Sequence, residues 1–276
     1  MKFLHCGKFR LALDRPLLMG VVNVTPDSFS DGGHFLAAGA AAAHARQLVA
    51  EGADLLDIGG ESTRPNAVPV TLEEERRRVL PVLESLAAIG VPLSVDTQKP
   101  ELMSEVAAAG VAMINDVNGF EAPGAFEAVA DSGCAICIMH KLGSPQTMQR
   151  APEYGDVVSE VRQYLEARIA AAQRAGIARE RIVVDPGFGF GKTLEHNLEL
   201  LRSLGQVAAS DVPVLAGLSR KSMIGMLTGR EVGDRIYGSV AAALIASQQG
   251  AAILRVHDVA ATRDALAVWK AVKSTT

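Results

Sequence analysis

The stretch IVVDPGFGFGKT, residues 182–193, admits two incompatible structures. Its alternate glycines followed by Lys192-Thr193 suggest a loop that wraps phosphates and opens a nucleotide-binding domain. A P-loop needs glycine five residues before its Gly-Lys pair, because backbone amides there cradle the phosphates. Pro186 occupies that position and brings no N–H and a fixed φ. The dinucleotide pattern G-x-G-x-x-G fails as well, since Lys192 stands where the third glycine belongs. What remains is a short apolar run, Ile182-Val183-Val184, that ends in Asp185-Pro186-Gly187: a buried strand opening into a polar loop.

The same design recurs along the chain. Apolar runs closed by polar or glycine residues lie at 17–25 (LLMGVVNVT), 54–60 (DLLDIGG), 92–97 (PLSVDT) and 113–119 (MINDVNG). Others follow at 135–140 (AICIMH), 182–187, 213–219 (PVLAGLS) and 253–259 (ILRVHDV). Between them stand Ala-, Leu-, Glu- and Arg-rich helical stretches such as AAAHARQLVAEG, LEEERRRVLPVLESLAAIG, VRQYLEARIAAAQRAG and YGSVAAALIASQQG. Most finish on a glycine (Gly52, Gly90, Gly110, Gly133, Gly176, Gly250), as a left-handed C-terminal cap requires. Strand and helix therefore alternate through 276 residues, which predicts a (β/α)8 barrel; an open doubly wound sheet is the alternative. No linker or low-complexity tract interrupts the pattern, so residues 1–276 are read as one domain, with an irregular rim loop from Leu142 to Asp156.

Composition narrows the function. Aliphatic and alanine-rich sequence, 49% hydrophobic, suits a parallel sheet covered by helices. A net charge of −4 disfavours a nucleic-acid surface, and the charges at Lys8, Arg10, Asp14 and Arg15 break up any amino-terminal membrane span or signal peptide. Three cysteines give no disulfide framework, and Cys134 and Cys137 in one strand point to opposite faces, so buried thiols in a cytoplasmic protein are expected. In such a barrel, reactive groups gather at the carboxyl ends of the strands. There the sequence places Asn23, Asp57, Asp96, Asn115, His140, Asp185, Lys221, Arg255 and His257.

At these residues the chain resembles the dihydropteroate synthase family over nearly its full length. The resemblance rests on MGVVNVTPDSFSDGG (19–33), DIGGESTRP (57–65), SVDT (94–97), INDVNG (114–119), DPGFGFGK (185–192), GLSRKSMIG (217–225) and RVHDV (255–259), in family order. It implies a (β/α)8 barrel that joins a dihydropterin diphosphate to para-aminobenzoate, is blocked by sulfonamides, uses Mg²⁺, and forms a homodimer. The segment GSVAAALIASQQG (238–250) is either a face of that dimer or core packing.

By the resemblance, Asp96, Asn115, Asp185 and Lys221 hold the pterin, whose guanidine-like edge offers donors to buried acceptors. Each acceptor taken alone could instead cap a helix. Asn23, Thr63, Arg255 and His257 take the diphosphate, with Asn23 also a ligand of Mg²⁺. Thr25, Phe29, Arg64, Pro65, Phe190 and Ser222 form the aminobenzoate site. Asp96, Lys221, Arg255 and His257 are the expected catalytic set, and Lys192 lies either beside substrate or in solvent. Two departures stand out: Asn66 where Arg-Pro-Gly is common in the family, and MHKLGSP (139–145) where MHMQGTP-like residues are usual. The rival functions are a pterin-dependent methyltransferase, which needs no TPDSFSDGG or STRP loop, and a non-catalytic pterin-binding paralogue, which would have shed the anion-binding residues.

Overall fold

The computed structural model describes residues 2–24, 33–63, 67–143, 152–208 and 211–273. It opens with a hairpin absent from the eightfold sequence pattern, β1 (Phe3–Cys6) and β2 (Phe9–Ala12), turning at Gly7 with φ 58°. Eight parallel strands follow: β3 (Leu17–Asn23), β4 (Leu55–Gly59), β5 (Leu93–Asp96), β6 (Met113–Asp116), β7 (Ala135–Met139), β8 (Ile182–Asp185), β9 (Leu215–Ala216) and β10 (Ile253–Val256). Each coincides with one of the apolar runs. Their hydrogen-bonded order runs β8-β7-β6-β5-β4-β3-β10-β9. A parallel bridge from Val184 to Val214 and a bond from Val184 N–H to the Pro213 carbonyl (3.0 Å) join its ends. The sheet therefore closes, and the open doubly wound alternative is excluded.

The helices are α1 (Gly33–Glu51), α2 (Leu72–Leu86), α3 (Pro100–Ala108), α4 (Glu127–Ala130), α5 (Val157–Arg174), α6 (Leu194–Arg202), α7 (Ser222–Thr228), α8 (Ile236–Gln248) and α9 (Val259–Lys273). Their ends obey local chemistry. Thr71 and Asp156 accept backbone N–H groups at the starts of α2 and α5. The glycines expected past helix ends, such as Gly52 (φ 104°) and Gly176 (φ 88°), do take the left-handed conformation.

Alternation along each strand sorts side chains to two cores. Leu18, Leu56, Ile58, Ile114 and Ile136 pack outward against helices. Leu17, Met19, Leu55, Met113, Cys137 and Val183 point into the barrel, where Leu4 and Cys6 of the hairpin join them. Gly7 N–H donates to the Gly133 carbonyl (3.1 Å), which fastens the hairpin at the amino end of β7. All three cysteines are buried and free, and burial pushes the Cys6 thiol up to about 12. These thiols are unreactive packing groups, as expected. With the amino end of the barrel filled by apolar groups, the inward positions at the carboxyl end are left for polar ones.

Candidate active site

The inward parity that buries Met19, Leu55, Met113 and Val183 continues upward to Asn23, Asp57, Asn115 and Asp185. Register aligns Asn23 with Gly59, Gly59 with Asp96, and Asp96 with Asn115, so four neighbouring strands meet on one rung. From β10, which pairs with β3, Arg255 reaches this group. Its Nε donates to Asp57 Oδ2 (2.6 Å) and its Nη2 to Asp96 Oδ2 (3.2 Å). Asn115 Nδ2 donates to the same Asp57 oxygen (3.0 Å).

Asp57 is thus the hub, fully buried, and its Oδ1 is buried with no hydrogen-bond partner among the described residues. In the sequence Asp57 stands at a strand end with no role assigned to it. The available signal was a carboxylate inside the apolar run LLDIGG, on the parity that faces the barrel interior.

Arg255, expected at the diphosphate, is placed by the structure among the carboxylates. Burial pulls its pKa down, but Asp57 and Asp96 overcome this and leave the guanidinium above its ordinary value, permanently charged. Asp96 is pushed well up, first by burial and then by Asp57, with Arg255 partly offsetting both. Burial also raises Asp185, against the pull of Lys221.

Both carboxylates are under-compensated acceptors, suited to a planar ligand that presents several donors. The capping alternative holds in part. Asp185 Oδ1 accepts Gly187 N–H (2.7 Å), while its Oδ2, Lys221 Nζ and Arg255 Cβ each border the open space over Gly217. The purely structural turn role falls to the neighbouring Asp116, which accepts the N–H groups of Asn118 and Phe120 (2.7 Å each).

Lys221 immediately precedes α7. Its Nζ donates to the Phe188 carbonyl and lies 4.7 Å from the centre of the Phe190 ring. Burial pulls its amine down to about 8, with Asp185 opposing. Ser222 opens α7 and is exposed. His257 stands two residues beyond Arg255, half-buried, with Nδ1 at 3.0 Å from Ser219 Oγ. Thr63 is half-buried at the stem of the next loop, where Glu61 meets Lys99. Thr25, Phe29, Arg64, Pro65 and the departing Asn66 lie outside the described residues.

Of the second departure, Met139–Gly143 is described: His140 is buried and Lys141 half-buried. Lys192, which the sequence placed beside substrate or in solvent, is only 3% exposed. A cavity of about 850 Å³ also opens at the opposite end of the barrel, beside Arg15, Arg263 and Trp269. There the Arg15 guanidinium is already held by Asp54 (2.5 Å), and none of the polar strand ends faces it.

A closed eightfold barrel with acidic and amide acceptors converging on one half-buried arginine, and a desolvated lysine opposite, defines a pocket for a flat, donor-rich heterocycle. The chain belongs to the pterin binding enzyme family, whose model matches residues 19–257. Within it the similarity is to dihydropteroate synthases. That of Neisseria meningitidis serogroup B is 53% identical over 275 residues, covering 97% of this chain and 96% of its own length. The Xanthomonas albilineans dihydropteroate synthase solved with 4-aminobenzoic acid is 56% identical, covers 99% of both chains and superposes with a TM-score of 0.94. A second structure of that protein holds 7,8-dihydropteroate. The Yersinia pestis enzyme, solved with a sulfonamide drug complex, is 45% identical over 99% of this chain and 100% of its own, with a TM-score of 0.93.

Proposed function

We propose that this chain is a dihydropteroate synthase, joining 6-hydroxymethyl-7,8-dihydropterin diphosphate to para-aminobenzoate to give 7,8-dihydropteroate and diphosphate. The observation that carries the reading is the Asp96–Arg255–Asp57–Asn115 network facing Asp185 and Lys221 on one rim. The pterin's amino and ring N–H groups bind Asp96, Asn115 and Asp185, and the ring carbonyl or nitrogen accepts from Lys221. The bond from the exocyclic carbon to the diphosphate oxygen breaks, its electron pair leaving with the diphosphate. The electron-rich ring stabilises the positive carbon, and Asp96, held in its ionised form by Arg255 and by the cationic ring it faces, stabilises that charge in turn. The neutral arylamine nitrogen then forms the C–N bond and releases one proton. It needs positioning more than activation.

His257 and Thr63, with the remaining N–H groups of Arg255, serve the diphosphate. Phe190 and Ser222 line the aminobenzoate side, together with Thr25, Phe29, Arg64 and Pro65 of the two loops outside the described residues.

The donor set for Mg²⁺ is sparse: no group of three His, Cys, Asp or Glu side chains among the described residues suits a metal. This fits an ion carried mainly by substrate oxygens and water, with the amide oxygen of Asn23 as its protein ligand. When bound, it would neutralise charge on the leaving diphosphate.

Sulfonamides, which mimic the aminobenzoate, are expected inhibitors. No described helix is long and apolar enough to cross a membrane, and a cytoplasmic enzyme is the reading we adopt. A homodimer through α7 and α8 is supported by Met226 (66% exposed), Leu227 (53%) and Tyr237 (85%) on their outer faces. The small residues Ala242, Ala243 and Ala246 of α8 instead pack inward on the barrel.

The test mixes purified protein with pterin diphosphate, Mg²⁺ and para-aminobenzoate. Dihydropteroate and diphosphate should appear in equal amounts and vanish with a sulfonamide. Tight pterin binding with no dihydropteroate would move the reading to a methyltransferase or a silent paralogue.

A further inference from the structure

Lys192 closes the GFGFGK segment, yet it faces neither solvent nor the rim. Its Nζ donates to the carbonyl oxygens of Gly187 (3.0 Å) and Phe190 (3.1 Å) and meets His140 Nδ1 at 2.9 Å. Burial pulls this amine down to about 7, with Asp185 opposing, and the three acceptors around Nζ favour the ammonium form, whose three donors they use in full. The imidazole is held neutral, its pKa pushed by burial and by Lys192 to about 3, which leaves the Nδ1 lone pair to accept.

Two backbone oxygens and a ring nitrogen thus form an uncharged cup for a cation, as rings of carbonyls do elsewhere. The loop owes this shape to its glycines. Gly187, Gly189 and Gly191 have φ of 69°, 81° and 63°. A Cβ at Gly187 would stand 1.9 Å from the His140 carbonyl oxygen, and one at Gly191 would stand 2.4 Å from that of Leu142.

The other side of the same loop carries the site. The Phe188 carbonyl accepts from Lys221, and the Phe190 ring lies beneath the Lys221 ammonium. Two lysines therefore grip one loop from opposite sides, and only Lys221 meets the pocket.

We propose that Lys192 is a positioning residue for arylamine capture: its tethered ammonium fills the cup, fixes the backbone from Gly187 to Phe190, and so sets where the Phe190 ring stands, while Lys221 keeps its own anchor at the start of α7. The glycines and lysine that mimic a phosphate loop serve an internal cation instead. This rests on the synthase reading above, which wild-type turnover tests before any variant is made.

Lys192→Met keeps the stem and removes the donors. It should raise the KM for para-aminobenzoate by about tenfold or more, the effect of losing one or more hydrogen bonds. The KM for the pterin diphosphate should stay within about threefold. In Lys192→Ala, n-propylammonium replaces the missing stem and head, and should restore the aminobenzoate KM saturably, whereas n-propanol should not. Three outcomes would overturn the proposal: wild-type constants in Lys192→Met, both KM values rising together, or equal rescue by the alcohol. If the alanine variant fails to fold, the split of KM values in the methionine variant decides alone.

Discussion

Replacing Asp57 by Asn tests the hub directly. The amide keeps the shape and one acceptor oxygen but removes a charge that Arg255 Nε meets at 2.6 Å. A hydrogen bond to a charged group contributes roughly 1.5–3 kcal/mol, and part of that loss is returned because Asp57 no longer repels Asp96. A net destabilisation of about 1–2 kcal/mol follows, or about 2–4 °C in Tm for a chain of 276 residues.

Catalysis should suffer more than stability. Arg255 keeps one carboxylate, Asn115 loses a charged acceptor, and the amide N–H₂ stands where Oδ1 has no partner among the described residues. We expect kcat/KM for the pterin diphosphate to fall by about 10–100-fold, equivalent to about 1.4–2.8 kcal/mol of transition-state stabilisation. Thermal unfolding and steady-state kinetics on the same preparation give both numbers. An Asp57→Asn protein with kcat/KM within twofold of wild type would show that Arg255 and Asn115 hold their places without Asp57, and the network argument would fail.

A second prediction concerns Lys99, whose Nζ bridges Glu61 and the fully buried Glu75 at 2.5 Å each. Lys99→Met strands a buried carboxylate and should cost about 3–5 kcal/mol; adding Glu75→Gln should return much of the lost Tm, and strictly additive losses would refute the pairing. A third follows from His140, whose folded pKa lies below its unfolded value of 6.5, at about 3. As pH falls below 6.5 the unfolded chain gains a proton that the folded chain refuses, so stability is lost at up to about 1.4 kcal/mol per pH unit until about pH 3. His140→Gln should flatten that part of the Tm profile, with an unchanged slope between pH 6.5 and 4.5 as the contrary result.

How much of this was legible beforehand follows from the range of each interaction. Strand runs and terminating glycines are properties of a few consecutive residues, so the barrel was readable from local periodicity and chain length alone. The hairpin from Phe3 to Ala12 was missed because two four-residue strands carry too little pattern, and its apolar face has meaning only against the open barrel end. The rim residues were readable as a set because each ends an apolar run. Their pairing was not: Arg255 lies 198 residues from Asp57 and 159 from Asp96, and the strand register of the closed sheet brings them together.

Lys192 shows the division most clearly. The letters GFGFGK state that the backbone can bend tightly and that a cation follows, because glycine takes positive φ at the least steric cost and a lysine closes the run. Whether that cation turns to a phosphate, to water or to the loop's own carbonyls depends on what stands behind the loop. There the barrel puts His140, brought from the end of β7 by a sheet that had first to close.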